Sequence, residues 1–500
     1  MTAVAQLHQA PHLSTLLPGM VLPLDPVIAG LELDSRRIQP GDLFLALHGG
    51  RTSGHEFIDQ AIERGAAAVL WEAPPASKIE IRRRIPLVPV PDLRMRAGEV
   101  ADRFYGSPSR ELQVVGITGT NGKTSCCHFL AQALGDDPPV GIIGTLGHGL
   151  PGELEQSGNT TPDAVTVHSL LARFRERGAR RAVMEVSSHA LLQGRVQGVR
   201  FDTALFTNLS RDHLDYHGDM ASYGAAKSRL FRMPGLRRAV INQDDRFGRE
   251  LLESLPPGVE RCGYSLHGAR EGGATVTAGS LHLSPGGIRM EVQTPWGGCV
   301  VESPLLGRFN ASNLLGVLAV LLVLGVAPGE AAARLGELKP VPGRMESFRG
   351  EGMPLVVVDY AHTPQALEQI LIALREHGER LWCVFGCGGE RDRGKRPLMG
   401  AVAARHADHL VITDDNPRGE DPGSIVADIL GGVPGYADAV VCHDRAGAIE
   451  SALRRASERD VVLVAGKGHE RFQQVGGLKL PFSDREVVQE MLTRRGGHHG

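Results

Sequence analysis

The stretch "GITGTNGKTS", 116–125, gathers glycines, an amide, a lysine and two neighbouring hydroxyl residues directly behind the apolar run "LQVV". These residue types suit a phosphate. Gly119, Asn121 and Gly122 let backbone N–H groups turn inward around phosphate oxygens, and a helix opening there adds the partial positive charge of its N-terminus. Lys123 is placed to reach the β- and γ-phosphates of a nucleotide, and the Thr124 hydroxyl to ligate Mg²⁺. The spacing departs from the Walker A pattern, which sets its first glycine five positions before the glycine of the Gly-Lys pair. Here that position is Ile117, and the available glycines are Gly116 and Gly119. Strand before and helix after favour nucleotide binding over a glycine-rich turn with a solvated lysine.

Four further places carry candidate chemistry. Glu185 ends "RRAVMEVSS", where P-loop enzymes set the acid that holds magnesium. His213 in "SRDHLDYHG" reads either as a metal ligand or as a satisfied histidine near a turn, and magnesium's preference for oxygen weighs against the ligand. Lys227 in "YGAAKSRLF" reads by default as a helix-surface lysine. "GGERDRGKRP" crowds Arg391, Asp392, Lys395 and Arg396 between glycines, a setting for a bound carboxylate or phosphate.

The elements that must position these residues fall into three blocks, 1–112, 113–340 and 341–500, with no internal repeat. The first mixes short strands with one amphipathic helix, and its stretch "DSRRIQPGDLFLALHGGRTSGHEFI" holds a strand, "DLFLAL", followed by a glycine-rich loop. The second opens strand–loop–helix at "LQVVGITGTNGKTS", as nucleotide-binding domains do. It continues with one strand ending at Glu185 and another ending at Asn208, and the alternation over 248–300 suggests a β-rich insertion. In the third, "LVVVDY", "LWCVFG", "HLVITDD", "AVVCH" and "VVLVAG" alternate with helical segments. That pattern predicts a doubly wound parallel sheet with its functional loops at the strand C-ends. "DYAHTP", "GCGGERDRGKRP", "DDNPRGEDP" and "GKGHE" occupy those ends. The fold class expected is therefore α/β in three domains: a small α/β domain, a central P-loop domain built on a parallel sheet, and a Rossmann-like C-terminal domain.

Composition narrows the function classes. The chain has 500 residues, 42% apolar and 22% charged, with a net charge of −3, so no basic field invites nucleic acid. The seven cysteines show no pairing or zinc spacing, which fits a reducing cytoplasm with thiols buried as small apolar residues. No signal peptide is read at the N-terminus. "LLGVLAVLLVLGV", 314–326, is too short to span a bilayer and reads as a buried helix, so no membrane insertion is expected.

Together "TGTNGKT", "MEVSSHAL", "TNLSRDHLDYHG", "LGRFNASN", "PGRME", "DYAHTP", "RDRGKRP", "DDNPR" and "GKGHE" resemble the Mur ligase family, in the family's order, from Ser35 to Glu470. The resemblance implies cytoplasmic peptidoglycan precursor synthesis by a monomer acting on small molecules. ATP phosphorylates the D-glutamate carboxylate of UDP-MurNAc-L-Ala-D-Glu, an amino acid's amine attacks the acyl phosphate, and phosphate leaves. A bare carboxylate is a poor electrophile, so the activation is a physical requirement; metal ions and Lys123 suit the charge that develops.

Carried over by position, Lys123, Glu185, His213 and Lys227 form the catalytic set. Gly119, Thr120, Asn121, Gly122, Lys123, Thr124 and Ser125, with Asn310, Asn313 and Arg344, match the ATP contacts. Thr124, Glu185, His213 and Lys227 match the Mg²⁺ ligands, Lys227 as a carbamate, since carbamylation turns a cation into an anionic oxygen ligand. Leu33, Ser35 and the Gly50, Arg51, Thr52 loop match the uridine-diphosphate pocket. Asn159, Thr160, Thr161, Ser187, Gln193 and Arg195 match contacts to the muramoyl dipeptide. Arg391, Asp415, Asn416, Pro417, Arg418, Gly466 and Glu470 match the pocket for the incoming amino acid.

"DDNPR" is the pattern of the family's diaminopimelate-adding members. Asn416-Pro417 reads as a rigid turn that aims Arg418 into the cleft, where its planar fork would hold the far carboxylate of meso-diaminopimelate. L-Lysine or L-ornithine is the alternative substrate, and an Arg418 paired with Glu420 or Asp421 in solvent is the alternative placement. Folylpolyglutamate synthase is a rival without the first block's "LDSRRIQPGDLFLALHG"; a nucleotide kinase would need no third block. A catalytically silent scaffold would have no use for Lys123, Glu185, His213 and Lys227 together. Closure of the third block is expected to bring Arg344, Asp359 and His362 onto the ATP.

Overall fold

The computed structural model describes residues 10–48, 53–74, 77–135, 137–156, 158–268, 274–284, 286–433, 435 and 439–496. Its strands form three large sheets, one in each third of the chain, and a separate hairpin.

The first sheet runs Gly30–Glu32, Asp42–Ala46, Ala68–Glu72, Ile85–Val90 and Glu80–Arg82, parallel except at the last edge. Asp42–Ala46 is apolar on consecutive residues because both its faces are buried. Leu43 and Leu45 meet the helix Leu93–Phe104, while Phe44 and Ala46 meet Ile58–Glu63.

Ten strands form the second sheet, with Gln113–Thr118 between Arg181–Glu185 and Phe201–Phe206. Seven strands are parallel, from Val140–Gly144 at one side to Ala274–Ser284 at the other. Gly287–Gln293, Cys299–Ser303 and the short Gly147–Gly149 add antiparallel edges. The expected insertion over 248–300 is thus an extension of the main sheet. Its start is helical, Arg246–Glu253, because Asp245 caps that helix by accepting from the Gly248 N–H at 3.1 Å. The strand expected to end at Asn208 stops at Phe206, and Thr207 and Asn208 instead fold onto the phosphate-loop segment. The buried apolar helix begins earlier than the run 314–326, at Arg308, so Asn310 and Asn313 sit on its first turns. It is buried around its whole circumference, packed between the sheet and the helix Lys123–Leu134.

The third sheet has the order Glu346–Phe348, Leu355–Asp359, Val461–Ala465, Leu381–Phe385, His409–Ile412 and Val440–Val441. Its last five strands are parallel, as expected; the first is an antiparallel edge. Asp359, Phe385, Ile412 and Ala465 end their strands on one side, and the polar loops follow there. The hairpin Phe472–Val475/Leu478–Pro481 lies outside the sheet. Its parallel bridge from Val475 to Arg418 ties it to one of those loops.

Candidate active site at the junction of the second and third sheets

The phosphate-loop segment leaves its strand at Thr118 and enters the helix at Lys123. Gly119 has φ +151°, and a Cβ there would overlap the Thr207 hydroxyl, so glycine is required. Thr120 N–H donates to the Asn208 carbonyl at 2.8 Å, and Asn121 N–H to the Asn208 side chain at 2.9 Å. Lys123 donates to the carbonyls of Gly119 and Thr120, both at 2.9 Å, which folds it back over its own loop. Thr124 Oγ1 donates to Glu185 Oε2 at 2.9 Å, and Ser125 is buried one residue on. Glu185 is fully buried; its other oxygen accepts from the Thr145 N–H at 2.7 Å. Thr145 was not among the expected residues, although it stands at a strand end, in "GIIGTLG", where such contacts form.

His213 and Lys227 converge on this loop. Lys227 is 1% exposed, not a surface lysine, because its helix turns it toward the loop and over the Tyr223 ring at 4.3 Å. Its Nζ donates to the Gly119 carbonyl at 2.7 Å, and no carboxylate pairs with it among the described residues. Burial, then the nearby Lys123 charge, hold the amine well below its usual pKa, against the pull of Asp212. His213 sits at φ +54°, and burial drives its imidazole down to about 3 despite Asp212 beside it, leaving the ring neutral. Among the described residues no three His, Cys, Asp or Glu side chains form a preassembled metal cage. That donor set fits magnesium, which is commonly held by one or two carboxylates plus substrate phosphates. The Thr124 hydroxyl and Glu185 supply oxygen, whereas a plain ammonium at Lys227 would repel the ion.

Asp212, which sequence reasoning passed over in favour of its neighbour, is the hub of the junction. Its carboxylate lies 3.4 Å from His213 Nε2, 3.5 Å from His362 Nε2 and 3.7 Å from Lys395 Nζ. Burial pushes its pKa up, but the His362 hydrogen bond and the surrounding cations win, holding it well below the carboxylate range. His362 lies in one of the third sheet's loops and Lys395 opens the helix Lys395–His406 after another, so this contact joins the two halves of the site. Arg344 Nη2 donates to Thr124 Oγ1 at 3.2 Å, and Arg211 meets Asp392 at 3.2 Å across the same junction. Arg344 and His362 thus contact the second block at Thr124 and Asp212, and Asp359 lines the cavity between them.

Two cavities open on this hub. The larger, about 540 Å³, is lined by residues 120–125, Glu185, Asn310, Asn313, Arg344, Asp359 and Gln369. Asn313 Nδ2 donates to Asn310 Oδ1 at 3.2 Å, and Asn310 to the Leu306 carbonyl at 2.9 Å, which fixes both amides on the wall. The smaller, about 130 Å³, is lined by Arg391, Lys395, Asp415, Asn416, Arg418, Gly466 and Glu470. Asp212, His213, Tyr360 and His362 line both.

In the smaller cavity Arg418 has φ +54° and donates to the Gly389 carbonyl at 2.7 Å. Its backbone is clamped by the hairpin: Arg418 N–H donates to the Gln474 carbonyl at 3.0 Å and Gly476 N–H to the Arg418 carbonyl at 2.6 Å. The Pro417 carbonyl accepts from the Glu420 N–H at 3.1 Å, closing the turn. Glu420 pairs with Arg396 and Arg393, and Asp421 caps a helix through Ser424, so neither neutralises Arg418. Burial, with Arg391 beside it, lowers the Arg418 pKa. The acidic wall is equally fixed, with Asn416 Nδ2 donating to Glu470 at 2.8 Å and Lys467 Nζ to Glu470 at 2.7 Å. Lys467 was also not expected.

On the other side of the hub, Thr161 Oγ1 donates to the Glu185 carbonyl at 2.8 Å and accepts from the Ser187 N–H at 3.1 Å. Arg195 donates to the Thr161 carbonyl at 2.8 Å and to Gln193, which reaches Tyr216 at 3.0 Å. Thr160 contacts Thr145 at 3.1 Å, with Asn159 next to it in the loop. Ser35 is buried against Gln60 at 2.6 Å and Leu33 is half-buried, both far along the chain in the first sheet's loops. Gly50, Arg51 and Thr52 lie outside the described residues.

A glycine-rich strand-to-helix loop facing a cavity of mixed charge across two α/β units fits an ATP-using ligase, and the chain belongs to the Mur ligase family. Models of that family match residues 27–105 (Mur ligase family, catalytic domain), 117–321 (Mur ligase middle domain) and 343–468 (glutamate ligase domain). The chain is 52% identical over 482 residues to a UDP-N-acetylmuramoyl-L-alanyl-D-glutamate--2,6-diaminopimelate ligase of Alkalilimnicola ehrlichii, covering 95% of this chain and 96% of that one. With the same-named ligase of Coxiella burnetii it shares 47% identity over 486 residues, 96% and 99% of the two chains. A solved structure with that name superposes with TM-score 0.69 at 34% identity, over 98% of this chain and 100% of the other. Mycobacterium tuberculosis folylpolyglutamate synthase, the rival from sequence, shares the fold at TM-score 0.61 and 20% identity but covers 74% of this chain and 92% of its own.

Proposed function

We propose that the protein is the ATP-dependent ligase that joins meso-2,6-diaminopimelate to UDP-N-acetylmuramoyl-L-alanyl-D-glutamate, releasing ADP and phosphate. One observation carries the reading. The larger and the smaller cavity share the wall formed by Asp212, His213, Tyr360 and His362. A carboxylate activated on one side can therefore be attacked from the other without leaving the protein, which protects an acyl phosphate from water.

In this reading the loop 119–125 and its helix N-terminus hold the ATP phosphates, and Lys123 turns from the Gly119 and Thr120 carbonyls to the β- and γ-phosphates. Asn310, Asn313 and Arg344 orient the rest of the nucleotide. Thr160, Thr161, Ser187, Gln193 and Arg195 hold the muramoyl dipeptide with its D-glutamate carboxylate toward the γ-phosphate. Leu33, Ser35 and residues 50–52 hold the uridine diphosphate. Thr124 and Glu185 would hold one magnesium ion, and His213 with a carbamylated Lys227 a second; bound there, the ions would supply positive charge against that of the transferred phosphoryl group. Arg391 and Arg418 bind carboxylates of the amino acid, while Asp415 and Glu470 face its ammonium groups. Its amine attacks the acyl phosphate's carbonyl carbon, and phosphate leaves with one former carboxylate oxygen. The division of labour follows three domains, 1–112, 113–340 and 341–500, and a monomer suffices because one chain lines both cavities. Among the described residues no helix is long and apolar enough to cross a membrane. The donor and acceptor are both charged and water-borne, which suits work in the cytoplasm.

Phosphate release from ATP with UDP-MurNAc-L-Ala-D-Glu tests the reading. Release should require the amino acid and favour meso-diaminopimelate over L-lysine and L-ornithine at equal concentration. A preference for either of the latter would leave the ligase and overturn the substrate.

A further inference from the structure

The smaller cavity is braced from behind by a pair that does not line it. Arg445 opens the helix Arg445–Arg455 and Asp484 opens Asp484–Gly496, and both side chains are 0% exposed. They meet fork to fork, Nε to Oδ1 at 2.7 Å and Nη2 to Oδ2 at 2.8 Å. The guanidinium has donors left over. Nη2 also donates to the Ala465 carbonyl at 2.9 Å and Nη1 to the Asp414 carbonyl at 3.3 Å.

Those carbonyls stand at the C-end of Val461–Ala465 and two residues past the C-end of His409–Ile412, two strands that are not neighbours; Leu381–Phe385 lies between them. Arg445 is therefore a tie across the end of the middle strand. Directly after the tied carbonyls come Asp415, Asn416 and Arg418 on one loop, and Gly466, Lys467 and Glu470 on the other. The loops touch on the cavity side as well, through Lys467 Nζ on Asn416 Oδ1 at 3.0 Å. Their separation has little slack: a Cβ on Gly466 would come within 2.6 Å of Asp415 Oδ2.

We propose that Arg445, anchored by Asp484, is a positioning residue for amino-acid selection that sets the distance between the loops carrying Arg418 and Glu470. The inference rests on reading the smaller cavity as the amino-acid pocket. A planar guanidinium serves a carboxylate and two carbonyls in fixed directions at once, which a lysine ammonium cannot do. Stability alone does not explain the pair, since apolar replacements of a buried ion pair are often as stable or more so. Its geometric product is the spacing of the two loops, and a misplacement of about 1 Å at a binding group can cost about a hundredfold.

The test uses Arg445→Lys and the paired replacement Arg445→Met with Asp484→Leu, which leaves no lone buried charge. In both, KM for meso-diaminopimelate should rise at least about tenfold and its preference over L-lysine should shrink by a similar factor. KM for ATP and for UDP-MurNAc-L-Ala-D-Glu should stay within about twofold, a split that general loosening of the fold would not give. Wild-type amino-acid KM and preference in the paired variant, or an equal rise in all three KM values, would overturn the positioning role while the pocket's assignment stands. If the wild-type enzyme ligates no amino acid, the pocket's assignment fails and the inference falls with it.

Discussion

Lys123 and Lys227 donate to the same oxygen, the Gly119 carbonyl, at 2.9 and 2.7 Å. Burial holds the Lys227 amine well below its usual pKa, which favours loss of its proton, and the neutral amine is the form that adds carbon dioxide. Lys227→Ala is expected to lose nearly all activity, and millimolar formate or acetate to restore part of it by supplying the missing oxygen ligand. Full activity in the unrescued variant would contradict the carbamate.

In the proposed function Arg418 carries the choice of amino acid. Its guanidinium is half-buried beside Arg391 and has no carboxylate partner among the described residues, so a substrate lacking a far carboxylate would leave it unpaired. That loss is of order 2–5 kcal/mol. Arg418→Ala should lower kcat/KM for meso-diaminopimelate at least about tenfold and change L-lysine use little. Equal losses for both amino acids, measured in the same assay, would remove Arg418 from selection.

Local pattern carried the strand–loop–helix over 113–134, the strand end at Glu185 and the third sheet, because each depends on a strand, its end and the residues just beyond it. It did not carry Asp212 as a hub. The partners of Asp212, His362 and Lys395, are distant in sequence, and only packing of the third sheet's loops brings them near. The burial of Lys227 was hidden for the same reason, since a lone lysine in a short helix gives no sign of what covers it. The strands over 260–303 read as an insertion because nothing local says which sheet a strand joins.

Asp212 offers a separate test. Asp212→Asn removes the charge that faces His362 and Lys395, and breaking a buried pair of this kind costs about 3–5 kcal/mol. Turnover should fall at least about tenfold, while affinity for an ATP analogue alone stays within about threefold, because the loop 119–125 keeps its own contacts. A loss of nucleotide affinity matching the loss of turnover would place Asp212 in the nucleotide site instead.

The same junction should resist acid poorly. His128 and His469 each bury a ring nitrogen that finds no hydrogen-bond partner among the described residues. Burial, then the Arg344 charge, bring them down to about 4 and about 3, from 6.5. The folded state binds fewer protons than the unfolded one below pH 6.5, so their contribution is full above that value and is lost as pH falls toward 4 and 3. The loss is at most about 1.4 kcal/mol per pH unit for each group. His128→Gln should flatten the fall in urea midpoint between pH 6.5 and 4.5. Parallel slopes in variant and wild type would contradict this.

The central claim is that the D-glutamate carboxylate is phosphorylated in the larger cavity and attacked by an amine from the smaller one. Label in both oxygens of that carboxylate follows the claim atom by atom. With ¹⁸O in the UDP-MurNAc-L-Ala-D-Glu carboxylate, one turnover with ATP and meso-diaminopimelate should release phosphate carrying a single ¹⁸O, the other remaining in the new amide. Phosphate free of ¹⁸O would mean that the carboxylate was never phosphorylated, and the account of two cavities working on one acyl phosphate would be wrong.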